Sequence, residues 1–330
     1  MLPSTRSMAG SGDASGHPVE RPTVAGVKME WSRIVRTGSG QPLEIDDNGI
    51  ARNARFSGAL GQADELKTRE LAAAPFLGSS QRALREANRH HSWGVMRERA
   101  RKVLQEIVGS KAPSESVLVD LGSGFGWQWR DLALEYARVQ FVLVDFSLTN
   151  LLVCRSLMPF REYPNVLCVH ADLVDLPLED ATADYCWSVQ VLQHLPRDKR
   201  YRGYREIKRV LKPGGRLYLA WVRPVPLVRL AYALLRKTYL ERGSTANGMF
   251  LQRFNEDTWR ELCEQFDDVR LTYSETLFHP DLHWAPRSRV AAWLDQCLGR
   301  TPLARLLARQ AEVWGASLSR CAPALSCFCL

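Results

Sequence analysis

The chain has 330 residues, room for one large or two small domains, and its 45% hydrophobic content is ordinary for a globular protein. No apolar run is long enough to span a bilayer, so no transmembrane helix and no membrane partner are expected. The net charge of +8 comes from 36 Arg against 8 Lys, scattered rather than gathered into one tract, which predicts a solvated basic surface and not a nucleic-acid partner.

Met1 to Val24 is rich in Ser, Gly and Pro, has no apolar leader, and carries Asp13 and Glu20, so neither a secretory signal nor a transit peptide is expected and the location is read as cytoplasmic. Eight cysteines without such a signal do not suggest a disulfide framework. Cys154, Cys168 and Cys186 read as packing. Residues 1–75 are expected as a partly disordered extension ahead of a domain over 76–330. Within the extension, Gln41 to Asn53 predicts a small β-hairpin turning at Asn48-Gly49.

A helix is expected over 92–107, then a strand over 116–121 and, after a glycine turn, a helix over 127–137. The strand 140–145 ends in Asp145, and Ser147 is a candidate N-cap for a helix over 148–158 that stops before Pro159. Strands follow at 165–170 and 184–189, with Asp172 after the first of them. A helix over 198–211 meets Lys212-Pro-Gly-Gly215, which cannot continue it. The strand 216–222 leads into an insertion, Pro224 to Gly248, expected as a lid carrying an amphipathic helix over 227–242. Asn255 opens a helix to about residue 266, followed by a strand over 269–277, helices over 288–298 and 302–310, and a strand over 313–319. Strands alternating with helices predict an α/β, Rossmann-like, seven-stranded, mostly parallel sheet with helices on both faces. Cys327-Phe-Cys-Leu330 meets the outline of a prenylated terminus, but one middle position is not aliphatic and no polybasic stretch precedes it, so a frayed tail is expected.

The most informative segment is Val117-Leu-Val-Asp-Leu-Gly-Ser-Gly-Phe-Gly126. Gly122, Gly124 and Gly126 allow positive φ and close backbone approach to a ligand. A dinucleotide site needs G-x-G-x-x-G, and here the third glycine position is Trp127. Asp120, just ahead of the turn, would repel a pyrophosphate and suits a cationic or amine-bearing ligand. No phosphate-binding G-x-x-x-x-G-K-[ST] occurs.

These residues resemble motif I of the class I S-adenosylmethionine (SAM) dependent methyltransferases, in their small-molecule, type 11-like branch, over roughly residues 90–280. The resemblance implies SAM as donor and S-adenosylhomocysteine as product. It places the turn from Gly122 through Ser123 and Gly124 to Gly126 under the amino-acid part and Asp145 on the ribose hydroxyls. Asp172 falls to the adenine amino group, Phe146 and Leu173 to either side of the adenine, and Gln190 near the methionine moiety. Asp184 to Pro196 and Val210 to Leu217 resemble further stretches of that family.

Methyl transfer is an in-line displacement that mainly requires alignment, plus a base for a hydroxyl or protonated amine. His194 is the candidate base, and His90, His91, His279 and His283 are weaker ones. The loop Ser188-Val-Gln-Val lacks both the Pro-Pro of base-amine methylation and the Pro-Cys of cytosine chemistry. No second acid after that strand completes a metal site, and the four cysteines of a zinc ribbon are absent from the extension, so no metal is expected.

The expected function is therefore metal-independent methyl transfer to an O or N atom of a small-molecule or peptide acceptor, as in natural-product or sugar tailoring, by a monomer or homodimer. Two alternatives remain open: an RNA-modifying enzyme, suggested by the basic charge and by Arg197 and Arg200 near the mouth, and a non-methylating or partner-subunit role.

Overall fold

A computed structural model describes residues 31–36, 43–53, 63–89, 92–110, 116–236, 238–245, 248–276 and 289–317. His90, His91, His279, His283, the first 24 residues and the C-terminal cysteines lie outside them.

The strands are β1 (Ile50–Arg52), β2 (Val117–Leu121), β3 (Gln140–Asp145), β4 (Val166–His170), β5 (Ala183–Val189), β6 (Leu211–Val222), β7 (Arg242–Ser244), β8 (Phe250–Gln252), β9 (Asp267–Ser274) and β10 (Gln310–Ala316). Eight of them form one sheet in the order β1-β4-β3-β2-β5-β6-β10-β9. Pairing is parallel from β1 through β6 and antiparallel at β10 and β9. The expected architecture is present with one strand more than the seven expected.

The helices are α1 (Ala63–Ala73), α2 (Ser80–Arg89), α3 (Ser92–Ser110), α4 (Arg130–Glu135), α5 (Leu148–Leu157), α6 (Arg197–Val210), α7 (Pro226–Leu234), α8 (Glu256–Gln265), α9 (Arg289–Gly299) and α10 (Ala304–Leu307). Alternation along the strands feeds two cores. Val117, Val119, Val142 and Val144 pack toward Tyr204 and Ile207 of α6 and Leu262 of α8, while Leu118, Phe141 and Leu143 pack toward Leu104 of α3 and Leu151 of α5 on the other face. Cys154, Cys168 and Cys186 are buried among these residues. Asp184 locks the register at the sheet centre, accepting from the Val117 backbone at 2.9 Å and from Lys212 Nζ at 2.6 Å. Ser147 caps α5 by accepting from Asn150 N at 3.1 Å, as expected, and Asn255 does the same for α8 through Thr258 N at 3.0 Å.

Two expected helices are corrected, and the segment ahead of residue 75 contributes a strand to the sheet. The Asn48-Gly49 turn is held by Asp46, whose Oδ1 accepts from Asn48 N and Ile50 N, each at 3.0 Å, and the strand it launches, β1, pairs with β4 and becomes the edge of the sheet. Buried Arg155 fastens the turn to the sheet, donating to Gly49 O at 2.8 Å and Val166 O at 2.6 Å. The lid helix is shorter than expected: α7 ends at Leu234, Arg236 takes a positive φ of 52°, and the rest of the insertion forms the β7–β8 hairpin. The helix after the glycine turn is split into a 3-10 turn, Trp127–Trp129, and α4.

Candidate active site

A cavity of about 830 Å³, within the range of ligand sites, runs along the carboxyl edge of the sheet. It brings together Asp120, Gly122, Ser123, Gly124, Asp145, Phe146, Asp172, Leu173, Gln190 and His194. Gly126 is not in its wall.

The three glycines of the turn have φ of 76°, 56° and 59°, which a Cβ would strain. Their surroundings differ. A Cβ on Gly122 would collide with the Val191 side chain, and one on Gly126 would lie 2.8 Å from Leu143 Cδ1 and 3.0 Å from both Cys154 Sγ and Met158 Cε. A Cβ on Gly124 would meet nothing within 4 Å. The middle glycine faces open cavity, while the outer two let the chain close on the core.

Asp145 does two jobs at once. Its Oδ2 accepts from Gly124 N at 2.8 Å and its Oδ1 from Ser147 N at 2.8 Å and Asn150 Nδ2 at 3.2 Å, so the acid at the end of β3 clamps the turn and the start of α5. A carboxylate offers about four lone-pair sites, and these bonds occupy three of them. Burial pushes its pKa up, and the backbone bonds oppose that shift. Asp120 is only 1% exposed. Its Oδ2 accepts from Gln128 Nε2 at 2.7 Å and Trp129 Nε1 at 2.6 Å, and burial raises its pKa to about 7. The Asp120 carboxyl, on β2, is thus partly engaged by the 3-10 turn that follows the glycines. Asp172 makes a local turn, accepting from Val174 N at 3.2 Å, while lining the cavity. Gln190 holds a positive φ of 57°, fixed by donation from its N–H to Ala220 O at 2.8 Å.

His194 sits in the 3-10 turn Leu192–His194 after β5. Its Nδ1 lies 2.9 Å from Phe250 O, which can only accept, so Nδ1 carries the proton. Its Nε2 then offers a lone pair to Gln193 Nε2 at 3.2 Å, and Gln193 is itself fixed by accepting from Val222 N at 3.0 Å. Burial lowers the His194 pKa, against the opposing charge of Glu65. The result is a neutral imidazole with a basic nitrogen at the cavity.

Sequence reasoning missed several residues here. Glu65 and Arg69 of α1 line the cavity, joined at 2.9 Å, with Glu65 Oε2 buried 3.7 Å from His194 Nδ1. Met249, Leu251 and Arg253 come from the β8 hairpin, and Glu275, Arg309 and Gln310 from the far strands. Only the weakly patterned chain around them could have signalled them, and it did not. The arginine pair that favoured RNA is corrected. Arg200 is fully buried. It donates to both oxygens of Glu261 at 2.8 and 3.0 Å, which also pairs with Arg197 at 3.1 Å.

Residues 119–219 match the family model of a methyltransferase domain. That segment, running from β2 into β6, is similar to a methyltransferase domain. The chain is 37% identical over 122 residues to a demethylmenaquinone methyltransferase of Clavibacter sepedonicus, covering 36% of this chain and 47% of that one. It is 41% identical over 61 residues to the 27-O-demethylrifamycin SV methyltransferase of Amycolatopsis mediterranei, covering 18% and 22%. The chain therefore spans less than half the length of these curated relatives. A chain from the complex between the Haloferax volcanii Trm112 methyltransferase activator and a methyltransferase matches the fold at TM-score 0.50 and 18% identity, covering 80% of this chain and 100% of that one.

The residues that line the cavity fit SAM, the donor that the resemblance implies. The cavity is large enough, the backbone beneath it is open at Gly124, and buried Ser123 Oγ has no hydrogen-bond partner among the described residues.

Proposed function

We propose that the protein transfers a methyl group from SAM to an O or N atom of a small-molecule or peptide acceptor, without a metal, as a natural-product or sugar tailoring step in the cytoplasm. One observation carries this reading: a single cavity joins the glycine turn to His194 and continues to the far strands, so it has room for donor and acceptor side by side. When bound, SAM supplies an electrophilic methyl carbon for in-line displacement.

The chain's own residues do the rest. Gly122, Ser123 and Gly124 bring backbone against the amino-acid part, with Gly126 fixing the turn behind them, and Asp120 faces the amine. Asp145 gives its remaining lone pair to the ribose and Asp172 accepts from the adenine amino group. Phe146 and Leu173 flank the base, and Gln190 lies by the methionine moiety. His194 Nε2 takes the acceptor's proton once Gln193 yields it, and Phe250 O steadies the imidazolium through Nδ1.

The test is calorimetric binding of SAM together with mass-spectrometric detection of a methylated acceptor and released S-adenosylhomocysteine, with and without a chelator. Absence of SAM binding would refute the donor site. Activity lost to chelation and restored by a divalent cation would refute the metal-free mechanism.

A further inference from the structure

Beyond His194 the cavity reaches a polar pair that the donor half does not use. Gln310 opens β10 opposite Val222 of β6, and Glu275 follows Ser274, the β9 residue that pairs with Gln310. Both line the cavity and both are 1% exposed. Glu275 Oε2 accepts from Arg309 Nη1 at 2.9 Å, and Gln310 Oε1 accepts from Ser274 Oγ at 3.4 Å. Glu275 Oε1 and Gln310 Nε2 have no hydrogen-bond partner among the described residues.

Leaving a buried acceptor and a buried donor unmet is costly, yet the chain fixes both in place. Buried Asp295 of α9 accepts from the backbone of Glu275 at 3.0 Å and of Thr276 at 2.6 Å, holding Glu275 at a positive φ of 57°. The same cavity wall carries apolar Leu195, Val222, Met249 and Leu251.

We infer that Glu275 and Gln310 form a subsite for the far end of the methyl acceptor, and that this end carries a hydroxyl whose O–H donates to Glu275 Oε1 while its oxygen accepts from Gln310 Nε2. The inference rests on the methyltransferase reading. A hydroxyl, donor and acceptor in one neutral group, matches the unmet acceptor and the unmet donor. An ammonium would meet the Arg309 cation beside Glu275, and a carboxylate or phosphate would meet the Glu275 carboxylate itself. The sheet sets the length: His194 follows β5, and Gln310 stands two strands away on β10, about 10 Å at the usual strand spacing. The acceptor is elongated, with a reactive atom at one end, an apolar middle and a hydroxyl at the other.

The probe is an eight-carbon alkane diol with a hydroxyl at each end, compared with the matching mono-alcohol. Both are titrated by calorimetry into protein saturated with S-adenosylhomocysteine. The diol is expected to bind about tenfold more tightly, the scale of one to two net hydrogen bonds. Gln310→Leu is expected to erase that advantage while leaving S-adenosylhomocysteine affinity within about twofold, which also reports that the variant folds. Equal affinity of the two alcohols in the wild type overturns the subsite, as does an advantage that survives in Gln310→Leu. Failure of S-adenosylhomocysteine to bind the wild type instead overturns the donor reading, and the subsite with it.

Discussion

The glycine turn offers a comparison in which one added methyl is asked to do two different things. Gly124→Ala and Gly126→Ala each place a side chain at positive φ, 56° and 59°, costing about 1–2 kcal/mol. Stiffening of the unfolded chain offsets about 0.4–1 kcal/mol of that. At Gly124 nothing else is added, because the new Cβ meets no atom within 4 Å, so the net stability loss should be about 0–1.6 kcal/mol. At Gly126 the Cβ presses on Leu143, Cys154 and Met158 at 2.8–3.0 Å, and overpacking adds about 1–3 kcal/mol to the same net strain, for a total of roughly 1–4.6 kcal/mol. Ligand affinity should rank the other way. The Gly124 methyl enters the cavity and should weaken S-adenosylhomocysteine by about tenfold or more, whereas the Gly126 methyl points into the core. Urea denaturation of the ligand-free protein and calorimetry with S-adenosylhomocysteine measure the two effects. Wild-type affinity in Gly124→Ala, or equal stability in the two variants, would refute the assignment of cradle and hinge.

Asp145→Ala should weaken SAM by about 1.5–3 kcal/mol, the scale of lost charge-assisted hydrogen bonds, and unchanged calorimetric affinity would remove Asp145 from the site. His194→Gln should lower turnover by about 10²-fold with SAM affinity nearly intact. Because burial depresses the His194 pKa, the wild-type acid limb should fall below the ordinary histidine range and vanish in the variant, and a limb that persists argues for another base. Asp120, held at about 7 by burial, has a folded pKa above its unfolded value. Its stabilising contribution is full below about pH 4 and lost as pH rises through about 7. Ligand-free wild type should therefore lose stability relative to Asp120→Asn across that interval, and a difference flat with pH would show that Asp120 titrates normally.

What the sequence disclosed was what short-range pattern can encode. Buried strands with alternating faces, a helix that ends ahead of Pro213-Gly-Gly215 and a turn that only glycine fits are local facts, and they placed the sheet and the glycine-turn end of the cavity. The acids at Asp145 and Asp172 were legible as positions, but Asp145's clamp on Gly124 and Ser147 was not, because hydrogen bonding across a turn leaves no periodicity. The far end of the cavity was silent. Glu65 and Arg69 lie on a helix, Ala63–Ala73, with no apolar stripe to announce what it packs against, and Glu275 and Gln310 meet only because β9 and β10 are antiparallel neighbours. Arg200 was misread because arginine is surface by default. The opposite charge that makes its burial tolerable, Glu261, lies 61 residues away, with Leu195 O and Gln252 Oε1 accepting from Nη1 of Arg200.

The three-residue strand β1 also governs how the protein can be cut. With Ile50–Arg52 in place, β4 is an inner strand. A fragment trimmed to begin at residue 76 would expose its run of Val166, Leu167, Cys168 and Val169 as an open edge, a template for pairing with other chains. It would also lose the α1 wall of the cavity. Such a fragment would retain the sequence signature while tending to aggregate, and a failed activity assay on it would report insolubility rather than chemistry.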